Sequence, residues 1–88
     1  MRERSDGEIL GGLIERSRLL IALSEEIPVS TKLETQPLLK QLEQLVDEFA
    51  ADHDVERIDA THALLCDALA EFADLDALLS AMRHFLPR

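Results

Sequence analysis

Asp59, His62 and Cys66 stand three and four residues apart, so a helix would set all three on one face. A histidine and a cysteine one turn apart can share a metal ion, and a thiol beside an imidazole is the pair that nucleophilic catalysis uses. A fourth metal ligand would have to come from His53 or His84. The spacing matches no ligand signature, so no metal and no other cofactor is expected. The thiol reading fails on position. Cys66 lies among Leu64, Leu65 and Leu69 in mid-helix, with no helix N-terminus or basic cluster nearby in sequence to stabilise a thiolate. Nucleophilic elbows place their residue at a turn. A structural or partly exposed thiol is the expectation.

Carboxylates offer a second chemistry. Asp67, Glu71 and Asp74 recur at i, i+4 and i+7, with Asp59 further up, and Glu25 and Glu26 close the first helix. Acid–base catalysis needs two carboxylates in contrasting environments inside a cleft, and so short a helical chain offers little cleft. The stripe reads instead as a solvated face or as a surface for a partner. Gly7, Gly11 and Gly12 lack the spacing of a phosphate-binding loop and follow no strand. No catalytic residue is assigned, and the chain is not expected to be an enzyme.

The elements that must position these residues are helices. Only three glycines and three prolines occur in 88 residues, too few for a turn-rich β protein. Ser5-Asp6-Gly7-Glu8 fits a capping box that starts helix one. Ile9, Leu10, Leu13, Ile14, Leu20, Ile21 and Leu23 then supply one broad apolar face, and Pro28 ends the helix near Ile27. Gly11-Gly12 either admits a close backbone or marks a weak start. Pro28 to Gln36 reads as a linker, with Thr35 capping helix two and Pro37 in its first turn; a start at Thr31 competes. Leu38, Leu42, Leu45 and Phe49 form a heptad-like seam. Helix three is expected from about Val55 to Phe85, continuous or mildly bent, although Asp74 could cap a new helix.

These elements predict an all-α fold in one domain, residues 1–88: two long helices in an antiparallel hairpin plus an N-terminal helix. Helix two should pack on the second half of helix three, Leu38, Leu42, Leu45 and Phe49 against Leu69, Phe72, Leu75 and Leu79. A chain of this size has a thin margin of buried surface, and its single cysteine excludes an internal disulfide. Ala60, Ala63, Ala70, Ala77 and Ala81 make a row of small residues on helix three, away from its bulky face. Both features point to a homodimer in which helix three contributes much of the interface.

Charge narrows the partners. The formal net charge is −9, which disfavours phosphate backbones and anionic membranes and favours a basic protein surface. The longest apolar run, Leu19 to Leu23, is too short to span a bilayer, and a lone cysteine without a signal peptide points to the cytoplasm.

Leu20-Ile21-Ala22-Leu23-Ser24 ahead of Pro28, Leu33-Glu34-Thr35 beyond it, and Ala77-Leu78-Leu79 leading to Phe85-Leu86-Pro87 resemble the TraM-type quorum-sensing antiactivators. These are small helical dimers that sequester a LuxR-type transcription factor. The likeness covers about 40 residues in two apolar blocks. It implies an inhibitory module that captures a DNA-binding regulator. A secretion chaperone or a toxin-neutralising partner would share the size, charge and helicity, and a metal- or thiol-dependent enzyme is the rival class. The expected partner-binding residues are Asp67, Glu71, Asp74, Met82, Arg83 and Phe85, the acids steering association and Met82 and Phe85 supplying apolar anchors.

Overall fold

The computed structural model describes residues 6–47 and 54–86, and its regular structure is entirely helical. Four helices follow one another: α1 (Asp6–Leu23), α2 (Val29–Leu45), α3 (Val55–Leu69) and α4 (Ala73–Arg83). The capping serine expected at position 5 and Phe49 of the expected seam lie outside the described residues.

Two boundaries differ from the sequence reading. α2 starts directly after Pro28, so the expected linker is helical and Pro37 sits inside the helix. A helix-interior proline normally costs several kcal/mol through a lost amide and a ring clash. Here Pro37 and Leu33, whose carbonyl loses its donor, are both exposed, so water can replace the missing bond. Thr35 does not cap. It is buried, and its hydroxyl donates back to the Thr31 carbonyl at 2.7 Å.

The second difference is a break. The expected long third helix stops at Leu69, turns through Ala70 and Glu71, and restarts at Ala73. Phe72 adopts an extended backbone (φ −101°, ψ 100°), and Asp74 and Asp76 fall in the first turn of α4, where carboxylates favour the helix dipole. Asp54 caps α3, accepting from the Arg57 amide at 3.1 Å.

The break changes the packing. α2 packs beside α1 and α3, and α4 beside α1 and α3; the backbones of α2 and α4 are not adjacent. Leu75 and Leu79, placed by the sequence reading against helix two, therefore pack from α4 toward other neighbours. Leu42 is fully buried as expected, beside Leu39, whereas Leu38 and Leu45 are half-buried. The core gathers Leu10, Ile14 and Ile21 of α1, Leu39 and Leu42 of α2, Ile58, Leu65 and Leu69 of α3, and Leu75, Leu79 and Met82 of α4. Leu23, assigned to the buried face of helix one, is 78% exposed. Gly11 and Gly12 are also exposed, and a Cβ at either would meet no atom within 4 Å, so no neighbouring backbone in this chain uses the space.

Candidate functional site

His62 and Cys66 do meet, but as core groups. His62 is buried on α3, and its Nε2 lies 2.7 Å from the Leu79 carbonyl of α4. A carbonyl only accepts, so Nε2 carries the proton and the ring ties α3 to α4 across the break. The Cys66 Sγ stands 3.7 Å from Nδ1 and 3.8 Å from Nε2, nearly equidistant from the two ring nitrogens and so not in line with either. Asp59 is exposed and apart from this contact. Among the described residues no three His, Cys, Asp or Glu side chains are grouped to hold a metal.

Burial raises the Cys66 thiol above its ordinary value; Arg83 pulls it down, and Asp76 and Asp67 push it further up. The thiol is thus protonated near neutrality, the opposite of what a nucleophile needs. A raised folded-state pKa contributes stability that is complete below the unfolded thiol's pKa and is lost as pH climbs through the folded value. In urea melts, wild type should therefore lose stability relative to Cys66→Ala above about pH 8.5, the reference thiol value. Parallel pH profiles for the two proteins would show that Cys66 titrates as in the unfolded chain.

The surface offers a different constellation at one end of the molecule. The turn after α1 (residues 24–28) and the turn before α4 (residues 70–72) face each other across a small cleft of about 180 Å³. Leu20, Ile27, Phe72 and Leu75 line it together with Ser24, Glu26, Ala73 and Asp74. Local bonds hold the first turn: the Ser24 amide donates to the Leu20 carbonyl at 2.9 Å, and the Glu26 amide donates to the Ser24 hydroxyl at 3.3 Å. Lys32 of α2 donates from Nζ to the Ala22 carbonyl at 3.2 Å, satisfying a helix end. On and beside these two turns Glu25, Glu26, Glu71 and Asp74 are all exposed, and Leu23 and Val29 flank the first turn at 78% and 69% exposure. Carboxylates on two turns that flank an apolar-walled cleft suit a basic, partly apolar protein segment.

The six residues expected to bind a partner separate here. Asp67, Glu71 and Asp74 are exposed, but the break distributes them over α3, the turn and α4, so they do not form one helical stripe. Arg83 is exposed at the end of α4. Met82 has no exposed surface and Phe85 is half-buried against the core, so neither is the bare anchor expected of it. Both close the bundle because α4 presents Leu75, Leu79 and Met82 at helical spacing to α1 and α3. The sequence reading missed Leu23 and Val29. The signal was available, since Leu23 and Val29 bracket Pro28 and apolar residues beside a turn have few neighbours to cover them.

The chain matches no family model, no curated protein and no solved structure.

Proposed function

We propose that this chain is an inhibitory protein-binding module, of the antiactivator kind that sequesters a LuxR-type DNA-binding regulator. The observation that carries the binding reading is the cleft where the two turns converge, walled by Leu20, Ile27, Phe72 and Leu75 with Glu26 and Asp74, while Glu25 and Glu71 are exposed on the same turns and Leu23 is bare at the end of α1. Exposed apolar side chains of this size supply desolvated anchors, and the surrounding acids steer a basic partner. DNA-binding surfaces of regulators are basic, so masking one would remove it from its operator. The resemblance of Leu20 to Ser24 and of Ala77 to Leu86 to TraM-type proteins supports this choice of partner. Homodimerisation belongs to the same proposal, supported by Ala60, Ala63, Ala70 and Ala77 being exposed in the single chain.

The test is an operator-release assay. A purified LuxR-type regulator bound to labelled operator DNA should be released by the wild-type chain in proportion to its concentration. The triple reversal Asp67→Lys, Glu71→Lys, Asp74→Lys should lower apparent affinity by on the order of tenfold or more, with helicity and sedimentation unchanged. Release that persists undiminished, with the same salt dependence, would remove the acids from the binding surface. No release by wild type would refute this choice of partner.

A further inference from the structure

A concavity lined by cations lies along α1 and α2. It encloses about 590 Å³, and Arg18, Lys32 and Lys40 line it together with Leu33, Gln36 and Pro37. Three of the nine Lys and Arg residues thus surround one groove on a chain of net charge −9. Glu43 sits at its edge and is paired to Arg18, which also bonds Glu15.

The groove wall has a register. Lys32, Gln36 and Lys40 recur every four residues along α2, giving a row of side-chain donors spaced about 6 Å apart along the helix. Leu33 and Pro37 recur at the same interval beside them, and Val29 continues that row one turn earlier. Leu33 is 71% exposed and Val29 69%. A donor row beside a bare apolar row, both at four-residue period, complements a helix with carboxylates at i, i+4 and apolar residues alongside. The shallow channel between two adjacent helices is also the shape into which a third helix packs.

From this we infer that the α1–α2 groove docks an acidic amphipathic helix of another protein, its carboxylates on Lys32, Gln36 and Lys40 and its apolar row on Val29, Leu33 and Pro37. Nucleic acid would meet the same three cations but also the repulsion of the remaining surface. A small anion held by the cations would leave Leu33 in the groove, and Val29 one turn beyond it, uncovered. The inference does not depend on the regulator named above: the groove has the opposite charge to the acidic end and selects a different segment.

The experiment uses the full chain and two labelled helical peptides of about 18 residues, one with Leu and Glu rows at this period, the other with every Glu changed to Lys. Fluorescence anisotropy should show the Glu peptide binding wild type, about tenfold or more weaker to the variant Lys32→Glu/Lys40→Glu, and weaker at higher salt. Lys40→Glu alone leaves the Lys32 bond to α1 intact and should give an intermediate loss, which separates binding from folding. Leu33→Ser should weaken the Glu peptide without altering the thermal melt. Binding of the Lys peptide should not fall in the double variant. Equal affinity of the Glu peptide for wild type and double variant, or no binding to wild type, overturns the inference. A wild-type oligomer that dissociates on Lys40→Glu, with no peptide binding by either form, overturns it in favour of a second copy in the groove.

Discussion

Leu42→Ala is expected to lower the unfolding free energy by about 2–5 kcal/mol, read from urea denaturation followed by helicity. Leu42 has no exposed surface, and α2 is held between α1 and α3, so the removed methyl groups leave a cavity that two helices would have to move to fill. Domains of this size have roughly 5–15 kcal/mol in total, so the loss is a large share of the margin. Leu33→Ala is the internal control: at 71% exposure on the same helix it should cost less than about 0.5 kcal/mol. A Leu42→Ala cost as small as that control would place Leu42 on the surface and refute the packing of α2.

The second large effect is expected at His62. His62→Ala removes both a buried ring and the hydrogen bond by which Nε2 donates to the Leu79 carbonyl, for a combined cost of about 2–4 kcal/mol. The bond crosses the break between α3 and α4, so its loss should also loosen α4 itself. Hydrogen exchange should show the amides of α4 opening faster than those of α2 in this variant. His62→Gln offers a donor on a different side chain and should recover part of the stability. Uniform acceleration across all four helices, with no recovery by Gln, would mean that His62 contributes only volume.

Most of the helical structure was legible because it rests on spacing. Leu10, Ile14, Ile21 and Leu42 lie on apolar faces at helical period, and all are buried. Pro28 marks a true boundary because its ring acts on its immediate neighbours. Two features stood in the sequence only as the competing readings, a start of helix two at Thr31 and a break near Asp74, for the same reason. Neither the turn at Ala70–Phe72 nor the helix through Pro37 carries the local punctuation that usually goes with it. The turn contains no glycine or proline, and periodicity runs through it because Leu65, Leu69, Leu75, Leu79 and Met82 all face the same core from two helices. Pro37 lies on the solvent side, where its cost is least, and that exposure depends on tertiary packing. The binding surfaces were harder. Charge suggested the acidic end, but which apolar residues stay bare depends on how the four helices pack. Met82 became core, and Leu23 and Val29 became surface.

The neighbour relations of the helices also differ in what they cost to close. α1–α2, α2–α3 and α3–α4 join segments consecutive in the chain, and α1–α4 alone among the helix contacts joins remote ones. The three local pairings close short loops and form at little entropic cost, whereas bringing α4 onto α1 must confine the whole intervening chain. The seam between α1 and α4 therefore carries the largest loop-closure cost of the four pairings. The acidic cleft opens at one end of that seam, between Leu20 and Leu75. A partner seated there would touch both ends of the chain's longest-range pairing, so binding would stabilise the contact that costs most to close.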